Sequence, residues 1–473
     1  MMNTTMLACL PSAMIEEGHA VPLSVTLTFS AFLVGLITCL ALEEKLHAKK
    51  SVIVGVFAVV TLFLGGVFHI LPSGPMLFAG HEMHMPIYIP SIDWEVIAII
   101  LGSSLFVDVT SKSGLFTWIA LKLTKSSGGD PLKLLISYGL MTVVFSAVLN
   151  NVTAMIIVGS LTGVSLRRLG RTDLMLGFLL TEGLLTNIGG LLTLISSVPN
   201  IIVGTTAGIS FGQFFVVASP YVVVATVLTL WMGAKRFKIK RFSSDAEREE
   251  AAELVAGFDE NDGIESPFFF KFGALMLVLF IGVIATASVL PYIRELGMGY
   301  VAMAFGLIML VRYKSVADRF YQAIDWDLLA FFAGLFVVIN VMEHAQVLHL
   351  IGQGVGHIIA LGATTGSALI MVTAAVASSV TDNIPLAAML AKILAVQPDI
   401  GTDPNSPFWW AVVFGANLGG NITPIGSAST LVAVTIIHKN ELKMSFADFV
   451  KAAVPFAIAQ ILVALLYVVF VLG

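Results

Sequence analysis

The sequence predicts an all-α polytopic membrane protein built as two inverted repeats, with about ten full spans and two opposed re-entrant hairpins. Three observations carry this. Apolar residues are 57% of the 473, whereas the 25 Lys and Arg and 30 Asp and Glu together are 12%, about half the charged fraction of a soluble domain. The apolar residues gather into runs of the ~20 residues that cross a bilayer. A set of polar positions recurs about 230 residues later. Such a composition excludes nucleic-acid binding and makes the lipid bilayer the first partner, with a multi-pass protein of the cell (inner) membrane as the expectation.

The first apolar run, residues 22–42, ends in Glu43, Glu44, Lys45, His47, Lys49 and Lys50. Basic residues mark the cytoplasmic side, so the N-terminus is expected outside and the run is read as an anchor that stays. Cys9 and Cys39 are read as structural. A second run, 51–71, leads into a loop (72–94) without Lys or Arg. Its His81, Glu82 and His84 lack the i, i+4 histidine spacing of a zinc helix. The third span covers 93–110, and residues 116–123, between Lys112 and Lys125, suit a helix lying at the inner surface.

Residues 131–167 are almost wholly apolar between the basic ends Lys133 and Arg167, with Ser146, Asn150, Asn151 and Thr153 forming a polar group near the centre. Two arms of ~16 residues are about 24 Å long, short of the ~30 Å core. This predicts a hairpin that enters and leaves on the cytoplasmic side with its polar tip near mid-membrane. Residues 173–209 form one crossing broken at Asn187, Gly189 and Gly190 and again at Pro199-Asn200. Residues 214–234 return to the densest basic cluster, Lys235, Arg236, Lys238, Lys240 and Arg241. The acidic stretch that follows is read as a cytoplasmic linker, 235–267, helical around 246–254, separating a first repeat (1–234) from a second (268–473).

The repeat is explicit. Ile92-Asp93-Trp94-Glu95 recurs as Ile324-Asp325-Trp326-Asp327, an offset of 232. At that offset Ser146, Asn150 and Asn151 meet Ser378, Asp382 and Asn383. Asn187-Ile-Gly-Gly meets Asn417-Leu-Gly-Gly at an offset of 230. Arg312, Lys314 and Arg319 place the start of the 327–343 span inside, opposite to its partner, so the copies are inverted. The second hairpin, 362–398, should open outward, and His438, Lys439 and Lys443 bring the chain back inside before the last span, 448–472.

Inverted repeats with broken helices and polar tips at the midplane are the signature of an alternating-access carrier. Irregular backbone at that depth needs protein or a wet cavity to satisfy it, and so can ligate an ion. The candidate substrate and ion ligands are therefore Ser146, Asn150, Asn151, Asn187, Gly189, Gly190, Thr193 and Asn200 in the first repeat. The second supplies Ser378, Thr381, Asp382, Asn383, Asn417, Gly419, Gly420, Asn421 and Thr423. Asp382 is the one carboxylate at either tip, expected to face both helix breaks, and a membrane-depth carboxylate is a functional site by default. Asp382 and Glu182 are the candidates for proton coupling; Na+ could sit at Asn151, Asp382 and Asn383.

The segment Thr381-Asp-Asn-Ile-Pro385, followed by Gly415-Ala-Asn-Leu-Gly-Gly-Asn421-Ile-Thr-Pro-Ile-Gly-Ser-Ala-Ser429, resembles the ion transporter superfamily with its citrate-transporter-like membrane domain. Within it the chain is most similar to the branch of arsenite permeases, sodium-proton antiporters and the P protein. The resemblance implies a homodimer, a scaffold domain at the interface and a transport domain carrying both hairpins that moves as an elevator. Ser196-Ser197-Val198-Pro199-Asn200 departs from the Gly-Asp that many relatives carry there, and the Ser-Asn-Thr tips of related dicarboxylate symporters are absent. The expected function is a secondary-active transporter of a small inorganic ion or oxyanion, coupled to H+ or Na+ (Na+/H+ antiport or arsenite and anion efflux), with no other cofactor. A sodium-coupled dicarboxylate symporter and an ion channel are the alternatives. An enzyme is not expected, because neither a zinc His-Glu-x-x-His nor a nucleophile elbow stands out.

Overall fold

The computed structural model describes residues 21–72, 76–78, 81–398 and 400–473; Cys9 lies outside them. The first half contains α1 (Leu23–Ala41), α2 (Glu43–Leu46), α3 (Lys50–Val67), α4 (Trp94–Ser111), α5 (Leu115–Ser127), α6 (Pro131–Val148), α7 (Asn151–Arg168), α8 (Met175–Gly189), α9 (Val198–Ala207) and α10 (Phe211–Arg236). A two-stranded ribbon, Met76–Phe78 with His81–Met83, interrupts the loop before α4. The connection to the second half holds α11 (Asp245–Ala256), started by a Ser244/Glu247 capping box. Then come α12 (Pro267–Thr286), α13 (Ile293–Leu310), α14 (Ala317–Ala323), α15 (Trp326–His344), α16 (Val347–Ile359), α17 (Ala363–Val380), α18 (Asn383–Ala395), α19 (Pro407–Gly419), α20 (Ala428–Lys439) and α21 (Phe446–Tyr467).

Apart from the short helices α2 and α14, the two halves repeat element for element. The duplicated Ile-Asp-Trp is a helix start in both: Asp93 and Asp325 cap α4 and α15 through their carboxylates. The indoles of Trp94 and Trp326 fold back to donate to the carbonyls of Ile89 and Tyr321, five residues earlier. An Asp cap satisfies first-turn N–H groups that the bilayer cannot.

The helices sort into two bundles. In one, α4 packs along α13 and α15 along α3, with α1 and α12 alongside. Gly102 lets α4 and α13 touch backbone to backbone, since a Cβ there would lie 2.4 Å from the Ala302 carbonyl carbon. In the other bundle, hairpin α6–α7 packs on α8, hairpin α17–α18 on α19 and α9, and α10 on α21. The 13-residue helices α5 and α16 join the two, each touching both arms of its neighbouring hairpin. α5 covers the residues expected to form a surface helix; α16, at an offset of 232, is its unexpected twin.

Both ends of the first hairpin sit on the face that carries the linker. The Asp130 carboxylate at the start of α6 accepts from the Phe242 N–H (3.4 Å), and Arg168 at the end of α7 lies 5.1 Å above the Phe258 ring. The end of α20 is there too, where Arg167 donates to Asn440. The second hairpin opens on the opposite face: α18 leads to α19 through Asn405, which accepts from Gln213 in the first turn of α10 (3.0 Å). The hairpins are thus opposed, as the charge pattern predicts.

Among the described residues ten helices are long and apolar enough to span, but they are not the ten crossings that the sequence reading counts. The 18-residue arms α6 and α17 are among them, while the broken crossings α8–α9 and α19–α20 are absent because each piece is too short. Length alone cannot separate an arm of about 27 Å from a span; the shared face of its two ends does.

Candidate functional site

Where the four helix ends converge, the sequence repeat becomes a reciprocal hydrogen-bond lattice. Ser146 donates to the Thr186 carbonyl at 2.6 Å, and Ser378 to the Ala416 carbonyl at 2.6 Å. Thr193 reaches back to the Ala147 carbonyl and Thr423 to the Ser379 carbonyl, at 2.5 and 2.6 Å. Each hairpin is therefore sewn to the break of its own repeat by one serine and one threonine. Gly189 and Gly419 make room for this: a Cβ would come within 2.6 Å of the Val143 carbonyl oxygen and 2.3 Å of the Ala375 one. Gly190 admits the Asn151 side chain, and Gly420 the turn at Gly426 and Ser427.

The two repeats are joined by amides. Asn187 donates to Asn421 (2.8 Å) and accepts from Ser427 and Ser429 (3.0 Å each). Asn417 donates to the Asn200 side chain (2.9 Å) and accepts from Ser197 (2.7 Å). Asn200 also holds the broken backbone, donating to the carbonyls of Gly190 and Thr193. All four asparagines are fully buried. The lattice runs on to α21 and α10, where Asn421 donates to Gln460 (2.8 Å) and Gln460 to Thr229 (2.9 Å). Gln460 was not among the predicted ligands; it is a lone polar residue in an apolar span, offset by 231 from Thr229.

The tips themselves are partly open. Asn150 caps α7 by accepting from Val152 and Thr153, and Asp382 caps α18 by accepting from Ile384. Asn151 accepts from Ser146 at 2.7 Å and reaches Asn187 only at 3.4 Å. Thr381 donates to the Ala377 carbonyl, and Asn383 is 7% exposed. Asp382 departs from expectation. Its hydrogen bonds go to its own helix and to Lys50 Nζ, 2.5 Å away at the start of α3, and to neither helix break. Sequence reasoning used Lys50 only as a topology marker.

Glu182 lies apart, fully buried on α8 beside the first hairpin. Its Oε1 accepts from Thr162 at 2.7 Å and its Oε2 has no partner. Among the described residues no grouping of three His, Cys, Asp or Glu could hold a metal ion.

Two hairpins that enter from opposite faces and end at the same pair of stitched helix breaks define a membrane transport protein. A model of the CitMHS family, described as "Citrate transporter", matches residues 37–415, and the chain belongs to this family. It is 29% identical over 391 residues to the "46 kDa membrane protein" of Mycobacterium leprae (80% of this chain, 86% of that one). It is 29% identical over 385 residues to an uncharacterized transporter of Mycobacterium tuberculosis, with the same coverage. The human P protein is 24% identical over 541 residues, covering 96% of this chain and 62% of that one. Among solved structures, the Alcanivorax borkumensis YdaH transporter shares the fold with a TM-score of 0.58 at 14% identity, over 94% of this chain and 97% of that one.

Proposed function

We propose that the protein is a secondary-active transporter of a small inorganic ion or oxyanion, coupled to H+ or Na+ and working as an elevator. The observation that carries this reading is the convergence of both hairpin tips on the asparagine lattice. A site closed from each face by one hairpin supports alternating access over a continuous pore. The bundle with α3, α4, α13 and α15 would be the static scaffold and, by family resemblance, the homodimer surface. The hairpin bundle would carry the substrate, with α5 and α16 as the flexing arms.

At the tips, Asn150, Asn151, Thr381 and Asn383 offer neutral amides and hydroxyls, which suit an oxyanion or a dehydrated cation. Asp382 supplies the one charge that could exchange a coupling ion. Glu182, half-satisfied in an apolar surround, supports a proton-carrying role, because protonation removes a buried unpaired charge. A second reading, a carboxylate such as citrate, is favoured by the family's description; the same tip donors could hold its carboxylates.

Proteoliposomes given Na+, arsenite and citrate in turn, under imposed pH and Na+ gradients, test the reading. Saturable uptake of one of them with counterflow, driven by one gradient, is the expected result. Non-saturating conductance would move the protein to the channel class.

A further inference from the structure

Lys50 is placed where a coupling cation would sit. Its Nζ lies 2.5 Å from Asp382 Oδ2 and 3.9 Å from Glu43 Oε1, and its neighbour Ser51 donates to Asp327. The pair is sheltered, with side-chain exposures of 27% and 12%. It also bridges the two bundles, since Lys50 opens α3 and Asp382 caps α18.

Depth gives the contact its meaning. α4 ends at the linker face, because α5 follows it and the Lys122 side chain of α5 meets Glu260 of the linker at 3.0 Å. α3, one crossing earlier, begins at that face. The tip of the second hairpin, which enters from the opposite face, is therefore held at the linker-side end of α3. Alternating access requires this tip to change level against α3, so the ion pair belongs to one state.

The inverted copy is an internal control. Where Ser51 meets Asp327, its counterpart is the N–H of Met298 donating to Glu95 at 3.1 Å. The residue before Met298 is Gly297, and the tip residue matching Asp382 is Asn150. Cation and carboxylate are both present on one side and both missing on the other, so the fold does not require the pair.

We propose that Lys50 is a tethered competitor of the coupling cation: its ammonium holds Asp382 in this state, and Na+ or a proton must displace it before the second hairpin can part from α3. The exchange conserves charge at Asp382, one monovalent cation arriving as the ammonium leaves. The inference rests on Asp382 being the coupling group.

The test is flux in proteoliposomes with Na+ and pH varied in separate series, for Lys50→Met and Asp382→Asn. Loss of an opposing charge within ~4 Å is worth about tenfold or more in the affinity of a carboxylate for a cation. In Lys50→Met the half-maximal concentration of the coupling cation should fall by about that factor, in the Na+ series or the pH series, which names the cation. If it moves in neither series while Asp382→Asn abolishes cation dependence, the competitor role is overturned and the coupling role stands. If Asp382→Asn keeps the wild-type cation dependence, the coupling reading fails and this inference with it. Should Lys50→Met not fold, Lys50→Arg replaces it: a bidentate competitor should raise the half-maximal concentration, and a wild-type value would overturn the proposal.

Discussion

Asn187→Ala removes the hub of the lattice between the two repeats. The side chain is fully buried, donates to Asn421 at 2.8 Å and accepts from Ser427 and Ser429 at 3.0 Å. Interhelical hydrogen bonds in a membrane average about 0.6 kcal/mol, so three of them give about 2 kcal/mol. Ser427 and Ser429 can still share one hydrogen bond at 3.0 Å, while the Asn421 side-chain oxygen is left stranded, adding about 1–3 kcal/mol. The expected loss is about 3–5 kcal/mol, which for a chain of this length lowers the melting temperature by about 3–5 °C. Thermal denaturation of the detergent-solubilised protein, followed by size-exclusion fluorescence, reads it. Asn151→Ala is the control, since that residue loses one good bond, to Ser146, and should shift by less than half as much. A double mutant with Asn421→Ala should be clearly less destabilised than the sum of the single ones. Equal shifts for Asn187→Ala and Asn151→Ala, or strict additivity with Asn421→Ala, would refute the account of a buried lattice.

Gly419→Ala places a Cβ 2.3 Å from a backbone carbonyl and should cost about 1–3 kcal/mol of overpacking, whereas Gly282→Ala, with nothing within 4 Å, should be silent in the same melting assay. Glu182→Gln should fold normally and flatten the dependence of flux on pH; an unaltered profile in proteoliposomes would remove Glu182 from coupling. At the linker, hydrogen bonds from Lys122 and Lys125 hold the Glu260 carboxyl below its usual value of 4.5. Its contribution to docking the linker on α5 is then complete above that value and fades as pH falls through the lower one. Amide hydrogen exchange in 259–266 should therefore be protected alike at pH 6 and 8 and less so at pH 3, and Glu260→Gln should erase the difference.

The repeat, the spans and the opposed hairpins were legible because each follows from one-dimensional signals: apolar run length, basic flanks and an offset of 230 to 232 residues. The pairs Ser146/Ser378 and Thr193/Thr423 do equivalent jobs in space because the offset that aligns them also aligns the backbone they bind. The direction of Asp382 was not legible. Its partner Lys50 is 332 residues away and lies in a run, Lys45 to Lys50, that reads fully as a sidedness marker. Nor does sequence say whether an asparagine faces a cavity or another asparagine, so the hydrogen bonds by which Asn187, Asn200, Asn417 and Asn421 join the repeats were not legible beside their reading as candidate ligands. α16 could have been found, since adding 232 to residues 115–127 gives its bounds.

The exchange of partners across the duplication has a consequence for how the chain is made. Ser197 of the first copy satisfies Asn417 of the second, and Ser427 of the second satisfies Asn187 of the first. Neither half can complete its own centre. On this arrangement the breaks of the first copy lack their partners until residues 417–429 of the second have been inserted. Completing the centre is thus a docking of two half-proteins that share one linker.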